Sequence, residues 1–291
     1  MASQAATMGT NIVDFLKGNE LADAMIEAGA SKAQLSSANV FLRGIMGGAF
    51  LAIATSISFY AAAQTGLPIV GAVFFPVGFI LINMIGVDLI TGYFAIVTTA
   101  FAYGRLPFSQ LVRLFFWVWF GNLIGSVAYA ALMVLGFTMA WQATDASGLS
   151  TVVNKIAAFK TTHYEQFGTA GALTAFTKAM LCNWMVTLGV VGPMVSRTAF
   201  GKVLITWVPI FMFFAMGYEH MVVNMFIMPA SMMFGAPISM TDFWLGNELP
   251  VTLGNFVGGF VFTGMVVAAI YYNRKPAEAP VADFAAAPAR L

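Results

Sequence analysis

Residues 67–104 read LPIVGAVFFPVGFILINMIGVDLITGYFAIVTTAFAYG, an apolar run in which Asp88 is the one charged side chain before the end. A helix crosses the hydrocarbon core in about 20 residues, so this run is too long for one crossing and carries a carboxylate near its middle. A helix that enters, breaks at Gly86-Val-Asp88-Leu89-Ile-Thr91-Gly92 and resumes satisfies both facts. Unwound backbone survives at membrane depth only where protein buries it or it lines a cavity. Residues 203–235 present the same problem, with Glu219 and His220 near their middle.

The rest of the chain supplies simple crossings over about 44–63, 114–140, 168–191 (interrupted by Lys178) and 249–272, giving six spans with the two broken ones. Composition agrees: 60% of the 291 residues are hydrophobic and 9% charged, against about 25% charged in a soluble domain. The expected class is an all-α membrane protein. A net charge of +1 from 13 basic and 12 acidic residues leaves no basic field for nucleic acid. Cys182 is the single cysteine, which excludes an intrachain disulfide framework.

The two halves match in register. Pro76 pairs with Pro209 (209−76=133), Gly86-Val-Asp88-Leu89 with Gly217-Tyr-Glu219-His220 (217−86=131), Gly121-Asn122 with Gly254-Asn255 (254−121=133), and Arg43 with Lys178 (178−43=135). Three spans per copy is an odd number, so the second copy enters from the opposite face and the repeats are inverted. The expected division is a segment 1–40 with a short amphipathic helix, a first repeat 41–140, a connection 141–167, a second repeat 168–273 and a disordered tail 274–291. Broken helices at corresponding positions of inverted repeats point to a substrate pathway near the midplane. The GxxxG spacings in Gly121–Gly125, Gly254–Gly258 and Gly44–Gly48 read first as close helix packing.

Even numbers of crossings put both termini on one side. Arg105, Arg113, Arg197, Lys202, Arg274 and Lys275 fall on that side and the opposite connections are near neutral, so the termini are expected to be cytoplasmic. Met1 to Ser37 carries no basic stretch leading into an apolar run, and no signal peptide is expected. Trp141, Trp207, Trp244, Tyr271 and Tyr272 lie near span ends, where amphipathic rings favour the interface.

A charge at a helix centre costs about 2.5–3.5 kcal/mol on insertion scales, so Asp88, Lys178, Glu219 and His220 need partners or water. The sequence suggests that Lys178 and Glu219 compensate each other while Asn183 and Asn224 hydrogen-bond the imidazole, leaving the ring toward a pore. Asp88 is expected to cap the resumed half-helix, Gly92 to supply backbone freedom, and Thr91 to touch a permeating species. Phe75, Phe79, Leu89 and Phe213 flank these motifs and are expected to form apolar constrictions that block hydrated ions. His163 receives no role, and the 19 methionines, without a His or Cys cluster, imply no metal site.

At these residues the chain resembles the formate/nitrite transporter family. The matching segments are Val87-Asp-Leu-Ile-Thr91-Gly, Lys178-Ala-Met-Leu-Cys-Asn183-Trp, Gly217-Tyr-Glu-His-Met-Val-Val-Asn224-Met-Phe and Leu253-Gly-Asn-Phe-Val-Gly-Gly. The resemblance implies an aquaporin-like protomer in a homopentamer in the inner (plasma) membrane. It implies one pore per protomer for small monovalent anions such as formate or nitrite. Desolvation favours the neutral form, so passage is expected with a proton or as the neutral acid, and no cofactor is expected. It identifies His220 as the central histidine, Thr91 as the loop threonine, and Lys178, Glu219, Asn183 and Asn224 as their surroundings. Lys32 stands near a basic vestibule position, and Phe79 occupies a place where members often carry an aliphatic residue.

The rival reading is a channel for water or ammonia, weakened by the absence of an Asn-Pro-Ala motif. An intramembrane enzyme or electron carrier is weaker still. Two histidines far apart in depth do not suit bis-histidine haem, and neither a Walker A pattern nor Gly-x-Ser-x-Gly occurs.

Overall fold

The computed structural model describes residues 15–272; the expected tail 274–291, with Arg274 and Lys275, lies outside them. The chain runs α1 (Gly18–Ser31), α2 (Ser37–Thr65), α3 (Pro68–Phe74), α4 (Pro76–Ile85), α5 (Ile90–Ala102), α6 (Phe108–Phe137), α7 (Leu149–Lys160) and α8 (Thr162–Glu165). It continues through α9 (Thr169–Val191), α10 (Ala199–Ala215) and α11 (Met221–Met233), a π-helical stretch Asp242–Glu248, α12 (Leu249–Val257), a second π-helical stretch Gly258–Met265 and α13 (Val266–Tyr271).

Among the described residues five helical stretches are long and apolar enough to cross a membrane, and α5, α10 and α11 are shorter apolar helices. The sequence expects interrupted crossings in the runs 67–104 and 203–235, and in each run the helix stops and restarts. α5 and α11 have 13 residues each, which at 1.5 Å per residue reach about 20 Å, short of the ~30 Å core. α4 ends at Gly86 with φ 80°, and α10 is followed by Gly217 with φ 62°. These left-handed turns, available to glycine without a Cβ clash, make the breaks. Gly92, expected to supply the freedom, lies instead inside α5.

Close packing follows the glycine spacing. A Cβ on Gly121 or Gly125 of α6 would strike the carbonyl oxygens of Phe41 and Ile45 in α2. One on Gly254 or Gly258 would strike those of Phe176 and Met180 in α9. Backbones this close gain dispersion contact that lipid cannot supply. The partners keep the duplication offset, 176−41=135 and 180−45=135, so the same helix contact is built twice.

The described ends of the chain meet: α1 packs on α13, and Leu16 N–H donates to the Val195 carbonyl. α1 also packs on α5, close to the start of α2. α7 lies at the other end of α2, where Gly148 approaches Ala63. The 29 residues of α2 put about 43 Å between those two ends.

Replacing Gly258 with Leu forces α12 off α9. We expect a loss of about 1–3 kcal/mol, read as a lowered unfolding midpoint in detergent, while Gly136→Leu, at a position with open space, leaves the midpoint unchanged. Equal midpoints for both variants would refute the packing account.

Candidate functional site

Each break leaves peptide groups of a half-helix start without an intrahelical partner, and in apolar surroundings that is costly. Two asparagines solve it in the same way. Asn122 Oδ1 accepts from Ile90 N–H at 2.9 Å, and its Nδ2 donates to the Gly44 and Asp88 carbonyls at 2.8 and 2.9 Å. Asn255 Oδ1 accepts from Met221 N–H at 2.9 Å, and its Nδ2 donates to the Ala179 and Glu219 carbonyls at 2.9 and 2.9 Å. Asp88 is therefore not the cap of α5. Its neighbour Leu89 occupies the cap position without a side-chain bond, and Asn122, 32 residues away, does the work.

Each break also carries an ion pair. Lys32 Nζ lies 2.6 Å from Asp88 Oδ1, and Lys160 Nζ lies 2.7 Å from Glu219 Oε2. The expected partner of Glu219, Lys178, is elsewhere: its ammonium lies 5.2 Å from the Phe159 ring centre and 5.8 Å from that of Tyr164. Lys178 thus reaches Glu219 only through Tyr164, whose hydroxyl donates to Glu219 Oε1 at 2.9 Å. Burial, then the charge of Glu219, pushes that phenol above the usual tyrosine range, so it stays a donor. The third contact to Glu219 is Asn224 Nδ2 at 3.0 Å, and Asn224 also donates to Asn247 Oδ1 at 2.7 Å. Asn247 in turn donates to the Lys160 carbonyl at 2.8 Å.

His220 is wholly buried and caps α11 itself: its Nδ1 accepts from Val223 N–H at 3.3 Å. Its ring stacks on Phe213 at 5.7 Å and 20°. Neither asparagine orients the imidazole as expected. Asn224 serves Glu219, while Asn183 Nδ2 donates to the Thr91 and Asn255 carbonyls at 3.2 and 2.7 Å, joining α5 to α12. An acceptor Nδ1 places the proton of the neutral ring on Nε2. Nε2 has no protein partner among the described residues, and neither have Thr91 Oγ1, Asn183 Oδ1 or Asn224 Oδ1, all buried. In a native interior such groups need an explanation, and all four belong to the side chains that the sequence nominates for the pore.

The four residues expected to form constrictions are buried. Phe75 meets Phe213 edge-on at 5.4 Å and stacks on Phe214 at 3.9 Å. Phe79 and Leu89 belong to the wall of a cavity of about 250 Å³ at the Lys32 end, which Asp88, Gly92, Tyr93 and Lys202 also line. At the other end, the segment expected as a bare connection folds into α7 and α8. Sequence reasoning missed Lys160, Asn122, Asn255, Asn247 and Tyr164. A signal existed for three of them: Asn122 and Asn255 stand in the duplicated Gly-Asn motif, and Lys160 lies 160−32=128 residues after Lys32, close to the other offsets.

A family model described as formate/nitrite transporter matches residues 19–269. The chain is 32% identical to the "Formate channel FocA" of Escherichia coli (strain K12), over 91% of this chain and 98% of that one. Among solved structures, an "FNT family ion channel" aligns with TM-score 0.74 at 26% identity, covering 86% of this chain and 98% of that one. A "Pentameric formate channel with formate bound" aligns with TM-score 0.66 at 28% identity over 81% and 97%.

Breaking a buried ion pair from one side costs about 3–5 kcal/mol, so Lys160→Met is expected to lower the unfolding midpoint strongly, with partial recovery in the Lys160→Met, Glu219→Gln double variant. Lys178→Met, which removes a cation–π contact, is expected to cost about 1 kcal/mol or less. The reverse ranking would return the pairing to Lys178.

Proposed function

The chain belongs to the formate/nitrite transporter family, a family of membrane channels and transporters rather than enzymes, and on that premise we propose that it passes small monovalent weak-acid anions, formate first and nitrite next. The protomer is one of five in a homopentamer, with its own pore built from two inverted repeats. It sits in the inner membrane with both termini cytoplasmic, so the cavity at Lys32 faces the cytoplasm.

The observation that carries this reading is the set of buried polar atoms left open at His220, Thr91, Asn183 and Asn224, set among constriction residues that are apolar. Lys202 at the cavity draws an anion in by its field, Lys32 being neutralised there by Asp88. The apolar stretch at Phe79 and Leu89 on one side, and at Phe75 and Phe213 on the other, opposes a hydrated ion by dewetting. Beyond the first barrier the anion meets the Nε2–H of His220, a donor held in place by the Nδ1 bond to the backbone. Desolvation favours the neutral acid over its anion, so the solute crosses the throat after taking a proton from vestibule water, the neutral imidazole keeping its own, and returns it to water on the far side. Thr91, Asn183 and Asn224 offer further polar contacts at the same depth, and no cofactor takes part.

A hydrogen bond to a charged group is worth about 1.5–3 kcal/mol, so His220→Phe is expected to reduce formate flux into proteoliposomes by about tenfold or more. His220→Asn, which keeps an N–H donor, is expected to retain part of it with a changed dependence on pH. Flux equal to wild type at every pH in both variants would eliminate the central role of His220. Counterflow with labelled formate, nitrite, acetate and lactate orders the substrates, and swelling driven by water alone would favour the neutral-solute reading.

A further inference from the structure

Glu248 closes the first π-helical stretch, immediately after Asn247 and just before α12. It is 2% exposed, and neither carboxyl oxygen has a hydrogen-bond partner among the described residues. Every other buried acid at the breaks is paired: Asp88 with Lys32, Glu219 with Lys160, Tyr164 and Asn224. π-helical turns recur at functional sites because they turn side chains away from the regular helical face.

The internal duplication sharpens the anomaly. Glu248 lies seven residues before Asn255, and the position seven before Asn122 is Phe115, since 255−248=7 and 122−115=7. Phe115 packs edge-on against Phe94 at 5.4 Å. The scaffold therefore accepts an apolar side chain at this place, and the acid is an addition to the second half alone. A buried ionised carboxylate without partners is costly, and protonation removes that cost.

The charged and titratable groups around it come from each element packed on this stretch. α7 contributes Lys160; the second break contributes Glu219 and His220; α8 contributes His163, Tyr164 and Glu165; α9 contributes Lys178 and Cys182; and Asp242 lies at the other end of the stretch itself. The charge count of the innermost group is short. Lys160 and Glu219 cancel, so the cluster is neutral when Glu248 is protonated and carries one negative charge when it is not.

We infer that Glu248 is a proton-binding site that sets the charge of the Lys160–Glu219 cluster and thereby the ease with which an anion reaches His220. Protonation forms the carboxyl O–H bond with a proton from water on the α7 side, and deprotonation returns it there. Acidification of that side opens the route to the anion; alkalinisation adds an uncompensated carboxylate near the Lys160–Glu219 pair and closes it. For anion flux this rests on the proposed function, whereas the proton site itself does not.

Two measurements on the full-length protein test it. In the infrared spectrum of membranes titrated with acid, Glu248→Gln is expected to lose one protonated-carboxyl band that wild type shows; an unchanged band set overturns the site whatever the solute is. In proteoliposomes the expected change in anion entry is about tenfold, the size of a unit-charge interaction across about 10 Å at an effective dielectric of about 20. The ratio of Glu248→Gln to wild-type formate flux is therefore expected to rise by about that factor from acid to alkaline pH. Glu248→Leu, which imitates the apolar side chain of the other half, is expected to match Glu248→Gln. A ratio independent of pH in both variants overturns the electrostatic role. If wild type carries no formate at all, the reading of function fails and the infrared result still decides the proton site.

Discussion

Peptide groups cannot be left dry inside a bilayer, and this protein interrupts two helices there. Each interruption is tolerable because one asparagine side chain, with one acceptor and two donor hydrogens, matches a half-helix start on one side and two backbone carbonyls on the other. Asn122 and Asn255 do so with nearly equal distances. The glycines one residue before each asparagine and three residues after it bring the carrying helix against its neighbour. That contact lets a short amide reach. Packing and polar satisfaction are one device here, and neither works without the other.

With the breaks held open in that way, the side chain at each cap position is free to differ. Leu89 and His220 occupy equivalent places one residue after the paired acid, since 220−89=131. One contributes to an apolar wall, and the other provides its own cap and a spare ring nitrogen. The duplicated ion pairs do the same at each end: a lysine from a flanking short helix or its end neutralises the acid that precedes the cap. The matching offsets supply the frame, and His220 for leucine and Glu248 for phenylalanine are departures from it that bring a buried polar side chain.

Much of the frame is legible in the residues. The apolar runs give the all-α membrane class, their excess length gives the two helix breaks, and the repeated Gly-Asn spacing gives the two close helix contacts. What escapes is the pairing of polar groups across long separations. Asp88 stands beside the half-helix start and has the right chemistry for a cap, yet the structure draws its carboxylate to Lys32, 56 residues away. Lys178 sits in an apolar span and therefore stands out, whereas Lys160 lies in a polar segment beside Lys155 and does not. Nothing in local periodicity distinguishes the lysine that folds inward, since that depends on how α7 packs against α2 and α11.

The same geometry explains why a half-helix start is a good place for an anion. α5 and α11 both begin at buried cap residues, and the N-terminal end of a helix carries a partial positive charge. In apolar surroundings that partial charge is screened little, so it acts further than the same charge at a surface. On the proposed function, a formal positive charge at this depth would bind an anion and hold it, whereas two partial ones, each already engaged by an asparagine, would lower the barrier without creating a trap. Conduction needs that balance, and it assigns the formal charges, Lys32 and Lys160, to the flanks, where each is neutralised by its own carboxylate.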